Sequence, residues 1–596
     1  MTLRIAALVK QIPAFESMTL GPDGRLVRAG LELEMSAYCR RAVAQAVATA
    51  AEHEGTVTVL TLGPPAAEDT LREAIAWGTD RGVDTRGVLV SDPAFAGSDT
   101  LATARALAAA LGRLGGFDLV LAGRNSVDAD TGQVGPELAE LLGLPFVTGA
   151  RHLTLRDGTL DIRAEHDDGW AQVRVDLPAV VSTAERLIDP CKVDPAGRAA
   201  VPADRITVLG TADLGSGPWG AAASPTAVGA TRLVASDRLG RVAAERPLDA
   251  QIGLAVDLLV ARGALDARHD RDADHGTVAP SGSPTGRAVG VIVEPDRAGI
   301  TRELLGAAAQ LDARVTALTL DGIDLDDLGG WGADDVVACT GIAVANEEDT
   351  AGAVTAWARD TDPWAILAPG TAWGREVAAR VAAALGTGLT GDAVELDTDG
   401  DELIAWKPAF GGQLVAAIHC TTRPQMATVR AGVLPTRSPR RHLPTETVLR
   451  ATPRSRLRIT ARTRDDDLDL LADAPVVIGV GQGVDPVDYP HLDPLAAALG
   501  AELAATRKVT DRGWLPRARQ IGITGRTIAP RLFVSIGASG KFNHVVGVRT
   551  AGTILAVNSD PEARIVAAAD VTIVGDYREV VPKLTAALIH LGASES

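Results

Sequence analysis

The chain has 596 residues, too many for one domain; at about 150 residues per domain it divides into three to five. Its 46% hydrophobic and 22% charged residues place it among ordinary globular proteins, and a formal net charge of -18 argues against nucleic acid or an anionic membrane surface as partner. No apolar run approaches the roughly 18 residues of a membrane span, MTLRIAALVKQIP lacks a signal-peptide cleavage site, and Cys39, Cys191, Cys339 and Cys420 form no C-x-x-C pair; the expectation is a reduced, cytoplasmic protein, not embedded in a membrane and without a metal site.

The first strands are RIAALVK, TVTVLTLG, RGVLVSD and DLVLAG, with AVAQAVATAAEH and DTLATARALAAALGRL as helices between them. This alternation implies βαβ units and parallel sheets. A polar, Gly/Pro/Ser-rich segment at 266–287, DARHDRDADHGTVAPSGSPTGR, has the composition of a flexible linker. Beyond it the strands are AVGVIVEP, RVTALTL, DVVACTG and WAILAPG. Residues 117–150 and 362–393 share a strand, a Gly loop, an Ala/Leu helix, then Leu-Gly and a Thr-Gly ending, which reads as a diverged internal duplication. After the polar join RTRDDDLDLLADA, a third block opens near Ala474 with strands PVVIGVG, RLFVSIG, TILAVN and VTIVGD and a last helix EVVPKLTAALI. The expected organisation is a domain over 1–265 ending in an arm, a linker at 266–287, a related domain over 288–462 and a third domain over 463–596. The fold class is α/β, with two related nucleotide-binding-like parallel-sheet domains and a doubly wound domain.

In open parallel sheets, ligands bind beyond the carboxyl ends of the strands. In the third block those ends carry Gly481–Gly483, Thr506–Arg507, the GITGRT segment at 522–527, the GASG segment at 537–540, Asn558 and Asp576. Glycines let backbone approach a ligand, a helix start favours phosphate, and a strand-end Asp can accept from a ribose. Capping explains any one of these positions; together they point to a dinucleotide. Arg507, Thr524 and His544 are the chemistry-bearing members, since an arginine and a histidine there could stabilise a delocalised anion such as a reduced flavin ring. Taken alone, His544 reads as a structural histidine near a helix start.

RQIGITGRTIAP (519–530), SIGASGKFNHVVG (535–547), LAVNSDPEA (555–563) and VGD (574–576) resemble the flavin domain of the electron transfer flavoprotein α subunit, and PAFGGQLVAAIHCTTRPQMATVRAGV (408–433) resembles the end of that subunit's first domain. VKQIP (9–13), the stretch from Leu62 to Asp92, AFAGSDTLATARALAAAL and AGRNSVDADTGQVGPELAELLGLP (122–145) are similar to the β subunit. The resemblance covers most of the chain and implies a β–α fusion. It implies an electron carrier rather than a substrate-converting enzyme, taking electrons from a flavin dehydrogenase and passing them to a quinone oxidoreductase, with one FAD in the third domain and AMP in the β part. Carried over by position, Thr506 and Arg507 lie beside the isoalloxazine and Thr524 bonds its reducible nitrogen. Ser539 and the GASG turn hold the pyrophosphate. His544 faces a flavin carbonyl and, with Arg507, favours negative charge on the ring. Asn558 and Asp576 hold the adenosine end. Gln482, Ile521, Gly522, Ile523, Gly540, Lys541, Phe542, Asn543 and Tyr577 complete the expected FAD contacts. The second nucleotide is expected against Leu8, Ser36, Leu62, Gly63, Gly123, Arg124, Asp128, Thr131, Gly132, Gln133 and Val134.

Three departures qualify the resemblance. Gln482 stands where the family has an arginine, which removes a cation beside the ring. Ser36-Ala37-Tyr38-Cys39 replaces the β motif N-P-x-D. CKVDPAGRAAVPADR (191–205) lacks the leucine anchor that docks the family onto dehydrogenases. Two other functions fit parts of the pattern: an NADH-dependent electron-bifurcating flavoprotein with a second FAD in the β part, and a non-redox adenine-nucleotide-binding protein.

Overall fold

The computed structural model describes residues 2–13, 31–126, 128–167, 169–233, 238–266, 286–320, 324–343, 346–409, 414–437, 443–464, 471, 474–522 and 525–594. Contacts divide the chain into two compact units. One comprises Met1–Leu233, Asp274–Phe410 and Leu414–Thr463; the other comprises Val234–Ala273, Gly411–Gln413 and Arg464–Ser596.

The first unit contains the duplication. In its front half the parallel strands lie in the order Ile206–Leu209, Thr85–Val90, Thr56–Leu62, Arg4–Leu8, Leu119–Gly123, Ala179–Thr183, Phe146–Arg156. The back half repeats this order with Thr445–Arg450, Asp335–Thr340, Ala313–Thr319, Arg287–Ile292, Ala365–Pro369, Gln425–Val429 and Leu389–Ala393. Both faces of these sheets are covered, so their central strands are continuous apolar runs. All five residues of Ala365–Pro369 and all five of Gln425–Val429 are buried. The sequence reading missed the antiparallel extension Phe146–Arg156, Thr159–His166 and Gly169–Asp176. Its strands alternate a buried apolar residue with a polar one, as at Leu160 and Ile162, and so lack the continuous runs that mark the parallel strands.

Each half also lends a strand to the other. Thr226–Leu233, following the front half, pairs antiparallel with Leu414–Cys420 of the back half. Arg458–Arg464, following the back half, lies next to Gly169–Asp176 at the edge of the front sheet. There Thr460 Oγ1 donates to the Gln172 carbonyl at 3.2 Å, Arg458 meets Asp176 at 2.9 Å, and Leu457 and Ile459 pack on the front-half core. Helices Val134–Leu142 and Ala372–Leu385 occupy equivalent places in the two halves and pack on each other. Between them Arg380, with no exposed surface, donates to Glu140 and Glu376, each at 3.2 Å, while Arg454 grips Glu140 with two bonds of 2.9 and 2.8 Å.

The second unit holds one parallel sheet, ordered Arg241–Val242, Val571–Val574, Thr553–Asn558, Leu532–Ile536, Val476–Val480, Glu502–Thr506, Gln520–Ile521. Past the short edge strand, the six strands read 6-5-4-1-2-3 in chain order, the doubly wound arrangement expected for this block. The end of the expected 1–265 domain, from Val234, groups with this unit rather than with the front half. Its helix Leu248–Ala261 packs on Tyr577–Ser594, with Ile252, Ala255 and Leu259 in the same core as Val480 and Leu584. Arg238 and Arg262 both pair with the fully buried Asp570, which also accepts from Ile554 N at 2.7 Å. Among the described residues, no helix is long and apolar enough to cross a membrane, and no group of three or more His, Cys, Asp or Glu could hold a metal ion.

Removing Arg380 takes from the buried Glu376 its ion pair and leaves Glu140 to Arg454 alone. Arg380→Ala should lower the unfolding free energy by about 3 kcal/mol, checked by urea denaturation of the full chain.

Candidate functional site

In the second unit, the strand order reverses between Val476–Val480 and its parallel neighbour Leu532–Ile536, so a crevice opens beyond their carboxyl ends. Two glycine loops cross there. A Cβ on Gly481 would collide with Gly537 O and Ala538 Cα, and one on Gly483 would sit 2.9 Å from Gly537 O. Gly537 and Gly540 adopt φ values of +63° and +68°, and a Cβ on Gly540 would strike Ile565 N. The loop after Ile536 is braced from the next strand: Asn558 donates to the Ala538 carbonyl at 2.8 Å and accepts from Asp560 N at 3.0 Å. Ser539 and Lys541 are exposed on this loop.

The GASG turn leads into the short helix Phe542–Val545, which carries His544 inward. His544 is 7% exposed; its Nδ1 lies 3.5 Å from the carbonyl of Ile521, and among the described residues its Nε2 has no partner. Burial pushes its pKa down to about 4, so the imidazole is neutral at pH 7. It therefore presents a dipole rather than a charge. Positive charge comes from the neighbouring loops. Thr506 ends its strand and Arg507 starts the helix Arg507–Asp511, where its Nε meets Asp511 at 3.1 Å. Gln482 extends from the loop after Val480, and its Oε1 accepts from Arg512 Nη1 at 2.7 Å and Nη2 at 2.5 Å, the amide orientation being set by that bonding. Ile521 and Gly522 are buried, and Gly522 N donates to Arg526 O at 3.0 Å. Asp576 receives Arg578 N at 2.9 Å at the start of Tyr577–Ser594, and the Tyr577 hydroxyl donates to Asp488 at 2.6 Å. Ile523 and Thr524 lie outside the described residues, as do the side chains of Phe542 and Asn543.

The second set gathers at the carboxyl ends of the front-half strands. Leu8, Leu62 with Gly63, and Gly123 end three neighbouring strands, while Ser36 is buried just before the helix Ala37–Glu52. Gly123 has no room for a side chain: a Cβ would lie 2.9 Å from Tyr38 Cβ and 3.0 Å from Cys39 N. Arg124 turns to Glu165 and Asp167, at 3.9 and 3.6 Å, and Asp128 takes Lys10 at 2.7 Å. Thr131, Gly132 at φ +65° and Gln133 lead into Val134–Leu142. Gln133 is buried, with Oε1 2.9 Å from Thr100 Oγ1 and Nε2 donating to Leu389 O at 3.3 Å. Thr100 Oγ1 is also 2.9 Å from Glu137, whose carboxyl burial pushes up to about 8.

Sequence reasoning missed what the back half sets beside this loop. A Cβ on Gly391 would lie 2.9 Å from Gln133 Nε2, and Lys407 donates to Gly391 O at 3.0 Å. Burial disfavours charge on Asp392, yet Arg430 and Arg375 hold its carboxyl well below the usual range. The available signal was charge inside otherwise apolar strands, LTGDA and ELIAWKPA.

The sequence matches the electron transfer flavoprotein domain twice, over 23–207 and 289–452, and the electron transfer flavoprotein FAD-binding domain over 470–549. It is 35% identical over 315 residues to the electron transfer flavoprotein subunit alpha of Clostridium acetobutylicum, covering 48% of this chain and 91% of the relative. Protein FixB of Bradyrhizobium diazoefficiens is 40% identical over 236 residues, 38% of this chain and 63% of the relative. The caffeyl-CoA reductase-Etf complex subunit CarD of Acetobacterium woodii is 34% identical over 230 residues, 38% of this chain and 86% of the relative.

Two variants test these sites. Gly481→Ala must push the crossing loops apart and should abolish nucleotide retention in the second unit, read from the released nucleotide after purification. Glu137 has a folded pKa of about 8 against an unfolded value of 4.5, so the folded state holds its proton longer. Its contribution is fully present below the unfolded pKa and falls as pH rises through about 8, by up to about 1.4 kcal/mol per pH unit. Glu137→Gln should flatten the stability profile between pH 5 and 8, as followed by denaturation midpoints.

Proposed function

The chain belongs to the electron transfer flavoprotein family, and on that premise we propose that it is a β–α fusion in one polypeptide, carrying one FAD in its C-terminal unit and AMP in its front half. The proposed domain limits are 1–265, with an arm that ends beside the C-terminal sheet, 266–287 as linker, 288–462 and 463–596. The fusion reading rests on the repeated family match and on the back-to-back halves of the first unit.

The single observation that carries the FAD reading is the glycine crossing at the reversal point of a doubly wound sheet, where the GASG turn leads to His544, whose buried Nε2 has no partner among the described residues. These residues fit a dinucleotide: close backbone approach suits a pyrophosphate, and an orphaned imidazole nitrogen suits a polar group at the ring edge. FAD, when bound, supplies the redox chemistry. The protein's residues bind and orient it. In this reading Gly537, Ser539 and Gly540 take the pyrophosphate, with Lys541, Phe542 and Asn543 following; Asn558 braces the turn, and Asp576 and Tyr577 border the adenosine end. Thr506, Arg507, Ile521, Gly522, Ile523, Thr524 and His544 surround the ring, with Arg507 contributing charge and His544 a neutral polar contact.

For AMP, the loop from Asp128 to Val134 is the proposed phosphate turn, and Leu8, Ser36, Leu62, Gly63, Gly123 and Arg124 line the rest. Support comes from the positive φ of Gly132 and from the convergence of these positions on three adjacent strand ends. The proposed donor is a flavin dehydrogenase and the acceptor a quinone oxidoreductase, with the carrier in the cytoplasm and without a nucleic-acid partner.

The test is cofactor analysis of the full chain reconstituted with FAD, with an absorbance spectrum. One FAD and one AMP per chain are expected. Two FADs with bleaching by NADH would replace this reading by a bifurcating flavoprotein, and a chain that takes up no FAD would leave an adenine-nucleotide binder. His544→Ala should keep most of the FAD and make the first electron harder to add by about 1 kcal/mol, the worth of one hydrogen bond; an unchanged redox titration refutes its role.

A further inference from the structure

Gln482 lies in the loop after the strand Val476–Val480, and Arg512 ends the short helix Arg507–Asp511 that follows the neighbouring parallel strand Glu502–Thr506. Both are exposed, and Gln482 follows the strand that borders the crevice. The Gln482 amide oxygen accepts both terminal nitrogens of Arg512, at 2.7 and 2.5 Å. The guanidinium carbon also lies 4.8 Å from the centre of the Trp514 ring, and Trp514 packs on the core of the unit. One guanidinium is thus held at its edge by an amide and on its face by an indole. Neither of these groups carries charge. Arg507, by contrast, has a carboxylate at 3.1 Å from its Nε.

We propose that Arg512 is a redox-tuning cation of the flavin site, and that Gln482 is the residue that positions it. This rests on the FAD reading above. The sequence suggested that glutamine at 482 costs the site a positive charge; the pair returns that charge from the opposite loop. Gln482 is then a specific choice. A second arginine at 482 would bring two guanidinium groups to hydrogen-bonding distance and drive them apart. Because Arg512 is exposed, its effect is screened by salt.

The experiment is a spectroelectrochemical titration of the FAD-reconstituted full chain at low and high ionic strength, with flavin content measured for each variant. Arg512→Ala should retain flavin and make one-electron reduction about tenfold less favourable, a shift of about 59 mV, smaller at high salt. Gln482→Ala should move the potential in the same direction by less. Adding Gln482→Arg to Arg512→Ala should restore it, since the guanidinium then comes from the other loop. Wild-type potentials in both single variants, with full flavin, overturn the proposal. So does a salt-independent shift, or a double variant no better than Arg512→Ala alone. A wild-type chain that binds no flavin overturns both this proposal and the FAD reading, which separates the two failures.

Discussion

A guanidinium with no exposed surface has to find its counter-charges inside the protein, and Arg380 finds them on two helices from different halves of the first unit. Burying such a group unpaired would cost several kcal/mol, so the packing of Val134–Leu142 on Ala372–Leu385 is tied to this contact. The lent strands act in the same sense. With Thr226–Leu233 in the back half's sheet and Arg458–Arg464 beside the front half's, neither half covers its own edges. The two halves therefore form a single structural object despite their separate sheets.

Within that object the duplication has been used asymmetrically. The strand Ala365–Pro369 passes to its helix through only Gly370 and Thr371, whereas Leu119–Gly123 reaches Val134 through the long loop 124–133. One copy keeps a tight turn and the other opens a loop with a left-handed glycine at 132. The tight copy sets Gly391 and Lys407 against the open loop. A repeated scaffold thus yields one half that carries an open loop and one that packs against it.

Local signals were legible where local physics decides. Strands buried on both faces are written as runs such as AILAP and VVIGV, and the glycines at 481, 537 and 540 announce close backbone approach before any coordinates. Features settled by distant partners were not legible. The alternating strands Thr159–His166 and Gly169–Asp176 depend on a hairpin within a mostly parallel sheet. Nothing in TAVGATRL says that it pairs with LVAAIHC almost two hundred residues later. The neutrality of His544 follows from its depth, which composition does not reveal. Arg512 was passed over because its meaning lies in Gln482, thirty positions away in the chain and 2.7 Å away in space.

The helix Leu248–Ala261 shares a core with strands that begin at Val476 and end at Val574. On the ribosome it emerges more than two hundred residues before the first of those strands. Its apolar face, with Ile252 and Leu259, must wait uncovered while the entire back half is made and folds. At about 5–20 residues per second that interval is on the order of ten seconds or more, long enough for trigger-type holding chaperones or for misassociation to compete. One polypeptide keeps its parts in fixed stoichiometry, and the core of its last unit is completed only when the final strands have been made.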